Sequence, residues 1–216
     1  MKAPKSILTL MFVAGLFLIV PLSTTYSGRQ AVLPTIAEGT FWQFKAATRF
    51  VPGVSRTKEL GGDYEVIYQD DKLRVFILNG DERTEIEDVR AEELKRMIAV
   101  GQDGRKYLDF PLSVGKKWNA PYLVRLPGSR FTIQRNVGYV KGIENVQTPG
   151  GNFEAFRIDG WFSGNAWIDG TYSGPYTLFY APQAGSIVKL LYENKSNAGG
   201  YRPRHEIELV KLGLAK

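Results

Sequence analysis

Short runs of alternating apolar and polar residues recur along most of this chain, and turn residues separate them. Because successive side chains of a β-strand point to opposite faces, alternation over four to eight residues is typical of a strand that buries one face. The pattern predicts strands at residues 40–46, 63–68, 73–78, 82–86, 122–126, 130–137, 139–146, 153–162, 167–172, 176–180, 186–193 and 205–212.

Two turn signals indicate where consecutive strands reverse direction. Asn79-Gly80 lies between two such runs and is typical of a two-residue hairpin turn, because both residues tolerate positive φ. The sequence Pro149-Gly150-Gly151-Asn152 separates two runs rich in β-branched and aromatic residues. Proline fixes its own φ and glycine accepts positive φ. We therefore predict hairpins at both places, the second joining the strands at 139–146 and 153–162.

The spacing of strands and turns predicts the fold class. The 216 residues include 23 glycines and 11 prolines, which punctuate nearly every interval between strands; this is typical of sequential antiparallel strands. We expect a mainly β fold: a curled antiparallel sheet, either a half-barrel or a barrel. At most one or two short helices should accompany an N-terminal hydrophobic leader helix. Residues 39–214 should form a single β domain.

One segment departs from the alternating pattern. Val89, Leu94, Met97 and Ile98 lie near helical spacing, and Asp88 precedes them as a candidate N-cap. The spacing predicts one short helix within residues 88–101 that covers one end of the sheet. The alternative interpretation is a strand at 95–100 that turns into a second strand at 106–110.

A four-residue spacing occurs twice in the chain. Gly115-Lys116-Lys117-Trp118 repeats the glycine and tryptophan positions of Gly39-Thr40-Phe41-Trp42. The match indicates a weak internal duplication, which two four-residue matches do not establish.

The first 28 residues have the three parts of an export signal. Lys2 and Lys5 precede an apolar stretch at 7–20, and small polar residues follow Pro21. A helix of that length rises about 21 Å, short of the ~30 Å hydrocarbon core of a bilayer. We expect residues 1–28 to be a signal peptide or, if uncleaved, an N-terminal membrane anchor, and residues 29–38 to be a linker. Both outcomes predict a location in the bacterial periplasm or on the extracytoplasmic face of the inner membrane.

Composition narrows the classes of function. An apolar content of 44% and a charged content of 23% suit a globular domain with a real core. Cysteine is absent from the sequence, which excludes disulfides and thiolate chemistry. The net charge of +6 falls to +4 when Lys2 and Lys5 are set aside, and most basic residues alternate with acidic ones. Nucleic-acid-binding surfaces have clustered basic charge, so we expect no nucleic-acid partner.

Three pieces of the chain carry a family resemblance: LDFPLSVGKKW at 108–118, the hairpin at 146–158, and LFYAPQAGSIVK at 178–189. They resemble the pattern FPLxVGKxW … PAGxFxAxRI … WYAPxxGxVK of a TapB-like family of bacterial periplasmic β-rich domains of unknown function. The resemblance covers roughly half of the chain beyond the leader. It implies a periplasmic β domain and, by distant fold analogy, a curled sheet similar to that of LolA- and LolB-type lipoprotein carriers. The chain departs from the pattern at Thr148-Pro149-Gly150-Gly151 and at Phe179.

Candidate catalytic and metal-binding groups are few. His205 is the only histidine, and no Gly-x-Ser-x-Gly element accompanies it as a serine hydrolase would require. We interpret it as a surface or edge residue at the start of a strand. One histidine without cysteine cannot form a typical zinc site, and no calcium-loop motif occurs. We therefore expect no cofactor, no metal site and no enzymatic activity.

Aromatic residues concentrate in one Gly/Ser-rich segment and are the candidate ligand-binding residues: Trp161, Trp167, Tyr172, Tyr176 and Tyr180. Residues two apart on a strand share a face, so Trp161 should share a face with Ala155 and Arg157, opposite Phe156, Ile158 and Phe162. Such rings either form a platform that grips an acyl chain or a sugar, or fill the core of the sheet.

These observations support three functional hypotheses. The first is a non-enzymatic envelope protein that binds an apolar or amphiphilic envelope ligand, such as a lipid, in the curled sheet. The alternative is a structural or protein-interaction module with an envelope protein as its partner, in contact with the membrane if the leader is uncleaved. The third is a carboxylate-dependent glycan hydrolase that would use two of four acids, Glu85, Glu87, Asp109 and Asp159.

Overall fold

The structure is a computed structural model that describes residues 29–50, 60–99, 107–126, 130–166, 170–193, 195–196 and 203–215. In these ranges the helices are α1 (Val89–Met97) and a 3-10 helix (Pro182–Ala184). The strands are β1 (Gln30–Ala31), β2 (Phe41–Phe50), β3 (Leu60–Gln69), β4 (Lys72–Asn79), β5 (Glu82–Glu85), β6 (Leu112–Ser113), β7 (Lys117–Leu126), β8 (Arg130–Thr148), β9 (Gly151–Ala166), β10 (Gly170–Ala181), β11 (Ser186–Glu193), β12 (Lys195–Ser196) and β13 (Pro203–Gly213). The predicted leader lies outside the described residues.

Ten strands form one antiparallel sheet in the order β5-β4-β3-β2-β13-β11-β10-β9-β8-β7, and β12 pairs with β10. The sheet is curled, because the turn between β8 and β9 reaches β13 across two intervening strands. There the N–H of Gly150 donates to the carbonyl of Leu209 at 3.0 Å. In the described part of the chain the edge strands β5 and β7 do not pair with each other. The prediction of a mainly β, curled antiparallel sheet is confirmed, in its open, half-barrel form.

The core lies mainly on the concave face of this sheet. Trp42 is fully buried, and its indole Nε1 donates to the carbonyl of Ala184 at 2.7 Å. Burial of each such large side chain contributes about 1.5–3 kcal/mol. The other large side chains with under 2% exposure are Phe44, Leu94, Met97, Ile98, Leu112, Ile158, Leu178, Tyr180, Ile187, Leu190 and Ile207.

The helix predicted within residues 88–101 is confirmed as α1. The carboxylate of Asp88 accepts a hydrogen bond from the N–H of Ala91 at 2.9 Å, as an N-cap residue should. The helix packs against β4 and β11 and buries Ala91, Leu94 and Met97. The alternative strand at 95–100 is wrong for residues 95–97, which are helical. Residues 100 and 101, the end of the predicted range, lie outside the described residues.

The start of the segment at residues 29–40 contacts two other parts of the chain. Gln30–Ala31 pairs with Leu112–Ser113 in a two-stranded sheet of its own. Arg29 forms an ion pair with Glu154 at the start of β9. None of the helices within the described ranges is long and apolar enough to cross a membrane.

The two Gly-x-x-Trp sequences adopt the same backbone arrangement. Gly39 and Gly115 have φ of 83° and 88°. Gly39 N donates to the carbonyl of Tyr68, whose N–H donates to the carbonyl of Thr40, and Gly115 and Lys116 exchange the same two bonds with Val140. In both places a positive φ that favours glycine starts a strand whose tryptophan is buried.

Two pairs of predicted strands are single strands in the structure, so their separation was wrong. The predictions at 130–137 and 139–146 both lie on β8, which passes through Gly138 without a turn. The described part of the prediction at 167–172 and the prediction at 176–180 both lie on β10. The sequence pattern treats Gly138 as a break between two strands, but it lies opposite Trp118 within the sheet. Its place in the sheet explains its identity.

Candidate functional site

A row of side chains crosses the concave face where polar groups replace the apolar core. Directly paired residues of seven neighbouring strands form this cross-sheet row: Thr48, His205, Tyr192, Tyr176, Gly160, Gly138 and Trp118. Two residues further along six of these strands, all except β7, a parallel row is wholly apolar and buried: Ala46, Ile207, Leu190, Leu178, Ile158 and Val140. The cross-sheet row therefore marks where polar groups enter the buried face, and the ring of Phe162 is buried one step beyond it.

Two glycines allow aromatic rings to lie flat on this row. A Cβ atom on Gly138 would lie 2.1 Å from Cζ2 of Trp118, and one on Gly160 would lie 2.2 Å from Cζ of Tyr176. The Gly160 Cβ would also lie 2.3 Å from the carbonyl oxygen of Val137. Both positions therefore require glycine, since any side chain would displace a ring or the backbone.

The hydroxyl of Tyr176 is held by β8, on the side of the row away from the apolar row. Its hydroxyl donates to Oδ1 of Asn136 at 2.6 Å and lies 3.1 Å from the carbonyl oxygen of Val137. Asn136 is fully buried. A second ring, that of Tyr107, contacts Tyr176 edge-on with centroids 5.9 Å apart. Tyr176 is therefore fixed on both its polar and its apolar sides.

The other half of the row is polar, with Thr48 buried and Tyr192 and His205 partly buried. The rings of Tyr192 and His205 stack with centroids 4.3 Å apart and planes 13° from parallel. Nδ1 of His205 lies 3.0 Å from the hydroxyl of Thr48, and the ring of Phe162 contacts Tyr192 edge-on. These contacts orient two hydrogen-bonding aromatic groups at the boundary between core and solvent.

Helix α1 adds an ion pair above this half of the row. Arg90 and Glu93, one turn apart, form a salt bridge. Burial raises the pKa of Tyr192 well above its ordinary value, and the charge and hydrogen bond of Glu93 raise it further. Burial lowers the pKa of His205 to about 4, and the positive charge of Arg90 lowers it further. At neutral pH the phenol of Tyr192 and the imidazole of His205 are therefore both uncharged, and the charges of Arg90 and Glu93 beside them neutralise each other.

Four strands continue far beyond the cross-sheet row and form a wall on one side of it. From the row, β7 and β8 run eight more residues and β9 and β10 six more, whereas the described parts of β2 and β13 run two. At about 3.3 Å per residue the wall extends roughly 20–26 Å past the row. Within the described residues, β2 and β13 have no counterpart of this wall, and we refer to the end of the sheet beyond the row as its open end.

The structure separates the five predicted ligand-binding residues. Tyr176 and Tyr180 are buried on the concave face, and Trp161 is 42% exposed on the outer face. Tyr172 lies on β10 opposite Gly164, and its side chain is outside the described part. Trp167 also lies outside it. As the strand alternation predicts, Phe156, Ile158 and Phe162 are buried on the face opposite Trp161.

Tyr180 lies deeper than the row and belongs to the core. Its ring is fully buried and contacts Phe110 edge-on at 5.2 Å. Its hydroxyl has no hydrogen-bond partner in the described structure, and burial raises its pKa above the ordinary value. A buried, unpartnered hydroxyl costs about 1–3 kcal/mol.

His205, which we interpreted as a surface or edge residue, is an interior residue of the site. Its strand β13 pairs with β2 on one side and β11 on the other. A signal was present in the sequence, since Ile207 and Leu209 alternate with charged residues and place His205 on their buried face. That Tyr192 and Glu93 lie beside His205 could be recognised only from the strand register and the packing of α1.

Three of the four acids of the glycan-hydrolase hypothesis are held in ion pairs, and the fourth is exposed. Glu85 pairs with Arg74, Asp109 with Lys116, and Asp159 with Arg157; Glu87 is exposed. The hydrogen bond of Arg74 lowers the pKa of Glu85, whereas a general acid needs a raised pKa. Among the described residues no group of three or more His, Asp or Glu side chains is arranged to hold a metal ion.

A separate groove of about 200 Å³ lies at the opposite end of the strands. Its lining residues include Pro34, Ile36, Thr40, Pro182, Ala184 and Leu214. Pockets for drug-sized ligands usually exceed about 300 Å³, so this groove is small for an acyl chain.

No family model matches this chain, and no curated protein matches it. Among solved structures it is similar to a predicted lipoprotein from Parabacteroides distasonis, with 12% identity and a TM-score of 0.38 over 85% of this chain and 99% of that one. It is similar to a predicted exported protein with a YmcC-like fold from Bacteroides fragilis, with 12% identity and a TM-score of 0.37 over the same shares. A third is the hypothetical lipoprotein YmcC from Escherichia coli, with 11% identity and a TM-score of 0.35 over 78% of this chain and 86% of that one. At these values the likeness assigns no function, and the TapB-like resemblance stays a prediction.

Proposed function

We propose that this protein is an exported, non-enzymatic module of the bacterial cell envelope that binds an amphiphilic ligand at the open end of its curled sheet. The observation that carries the proposal is the cross-sheet row, where polar and aromatic groups end a filled core beneath a four-strand wall. The polar part of the ligand would lie against Tyr192, His205 and Glu93, and its apolar part along the wall.

The filled core argues against a ligand site deep inside the curled sheet. Carriers that hold acyl chains deep in a half-barrel need an empty interior, but here Trp42, Leu94, Ile158 and Leu190 occupy it. Opening a chain-sized space would mean displacing several buried side chains, each contributing about 1.5–3 kcal/mol. The open end lies beyond these four residues, so a ligand bound there would not require them to move.

Export to the envelope rests on the chemistry of the leader. Lys2 and Lys5 followed by an apolar stretch at 7–20 are typical of an export signal. This supports a location in the periplasm or on the extracytoplasmic face of the inner membrane, where amphiphiles are abundant.

Native mass spectrometry and solvent extraction of the full chain, purified from its own host, test the proposal. We expect a co-purified amphiphile in the wild type. Glu93→Gln, which changes a buried acid facing the row, should lower its occupancy by on the order of tenfold. Glu92→Gln, on the exposed side of the same helix, is the matched control and should retain it. Consistent absence of amphiphile from the wild type would overturn the proposal.

The second candidate is a structural or protein-interaction module, and the edge strand β7 favours it. Within the described part of the sheet, β7 has a partner on one side only. Unpaired edges are templates for pairing with another chain, although Pro121 removes one donor. Crosslinking in intact cells separates the candidates: a reproducible protein adduct to β7 favours this one, and lipid adducts at the row favour the first.

A further inference from the structure

The outer face of the wall carries an exposed apolar pair. Val137 and Trp161 lie directly opposite each other on β8 and β9, and they are 41% and 42% exposed. Pro175 lies opposite Trp161 on β10 and extends the same row. Other large exposed apolar side chains in the described ranges, such as Val32 and Leu214, lie elsewhere in the chain. An apolar row on three neighbouring strands is a contiguous surface feature.

Basic groups border this apolar row. Tyr139, two residues from Val137, has the Nζ atoms of Lys117 and Lys141 each 5.1 Å from its ring centroid. Both lysines are exposed, as is Arg135 on the other side of Val137. Of the acids on this face, Asp159 and Glu144 pair with Arg157, and Glu193 at the end of β11 pairs with Arg204. The surface around Trp161 is therefore aromatic and cationic.

The neighbouring part of the outer face has a different charge pattern. Paired residues of four strands alternate in sign there: Asp63, Lys45, Glu208 and Lys189. Alternating charges are typical of a surface that faces water. The contrast distinguishes the Trp161 face from the ordinary solvated surface of the same sheet.

We propose that the outer face around Trp161, bordered by Lys117, Lys141 and Arg135, docks on the surface of an anionic lipid bilayer. Tryptophan and tyrosine favour the headgroup region, where their apolar rings and polar atoms are both satisfied. Lysine and arginine side chains near an anionic leaflet add attraction that salt screens. This surface lies on the face opposite the cross-sheet row, so it would hold the wall against the membrane and leave the open end accessible.

Hydroxyl-radical footprinting of the full chain tests this inference, with and without vesicles of phosphatidylglycerol and phosphatidylcholine. We expect oxidation of Trp161 to fall at least fivefold with vesicles containing phosphatidylglycerol and to be unchanged with phosphatidylcholine alone. Each lysine near an anionic membrane contributes about 1 kcal/mol, so loss of the Lys117 and Lys141 contacts should weaken vesicle binding by this face roughly 30-fold. The protection should therefore be lost in Lys117→Glu/Lys141→Glu and kept in Lys72→Glu/Lys211→Glu, which makes the same charge change at exposed lysines elsewhere. Because all variants share one N-terminus, an anchoring leader does not affect the comparison.

Two results would overturn the inference. One is equal oxidation of Trp161 with and without anionic vesicles. The other is protection that needs a co-purified protein and persists without lipid, which would assign the face to a protein partner. Neither result bears on whether an amphiphile occupies the open end, which the extraction experiment decides separately.

Discussion

The ring of Tyr176 lies over Gly160 on the neighbouring strand, so that a Cβ atom on this glycine would stand 2.2 Å from the ring. The same Cβ would meet the Val137 carbonyl oxygen at 2.3 Å. A ring can rotate away, but a backbone carbonyl in the middle of a sheet cannot. The absence of a side chain at Gly160 therefore fixes where the Tyr176 ring of the candidate site can lie.

Replacing Gly160 with alanine should destabilise the protein strongly. We expect Gly160→Ala to lower the free energy of unfolding by at least about 3 kcal/mol, because overpacking here displaces both a ring and a carbonyl. Gly142→Ala is the matched control, since no atom lies within 4 Å of its Cβ position, and it should change stability by less than about 1 kcal/mol. Urea unfolding measures both. Equal effects of the two substitutions would contradict the geometry.

The two buried tyrosines of β10 should respond in opposite ways to loss of the hydroxyl. Tyr176→Phe removes the hydrogen bond to buried Asn136 and should cost about 1–3 kcal/mol. Tyr180→Phe removes a buried hydroxyl that has no partner and should be neutral or stabilise the protein by about 1 kcal/mol. Thermal or urea unfolding of the pair decides this, and a destabilised Tyr180→Phe would reveal an unrecognised partner of that hydroxyl.

His205 should make the protein less stable in acid. Its pKa in the folded protein is about 4, against an ordinary value of 6.5, so between these values the unfolded chain binds more protons. The contribution is complete above about pH 6.5 and is lost as the pH falls toward 4, with an upper bound of roughly 3 kcal/mol. The free energy of unfolding is measured for the wild type and for His205→Gln, each at pH 7 and at pH 4.5. The contribution of His205 is the extra stability that the wild type loses between the two pH values. Identical dependences would show that the imidazole is not held in its neutral form.

The N-cap residue Asp88 should stabilise helix α1, which covers part of the core. Asp88→Ala removes the acceptor for the Ala91 N–H and should cost about 1 kcal/mol. Hydrogen exchange should accelerate first in α1, whose cap is lost. Glu87→Ala, an exposed neighbour, is the control and should have little effect. Unchanged exchange in Asp88→Ala would mean that packing alone holds the helix.

Local features of the fold could be predicted from the sequence because the residues themselves determine them. Asp88 caps a helix through its own side chain, and Gly80 takes the positive φ of a hairpin turn. The interpretation of Gly138 as a break between two strands was wrong, because the requirement for glycine there comes from another strand. The ring of Trp118 on β7 occupies the space that a Cβ atom would need. No pattern within one strand carries that information.

The candidate site was predicted only in part for the same reason. Tyr176 was a candidate because aromatic residues cluster in its segment. His205, Tyr192 and Glu93 come from three segments that are brought together by strand register and helix packing. Such a site becomes visible when the pairing is known, because pairing turns distant sequence positions into neighbours.

Photocrosslinking at Phe162 in intact cells tests the central claim, ligand binding at the open end, most directly. Phe162 is a buried residue of the wall beside Tyr192, and a benzoyl-phenylalanine there keeps an aromatic ring. The same residue at Phe76, which Arg83 covers on β4, is the control. The account predicts amphiphile adducts at position 162 and none at 76. Adducts at neither position, or only to protein at 162, would contradict it.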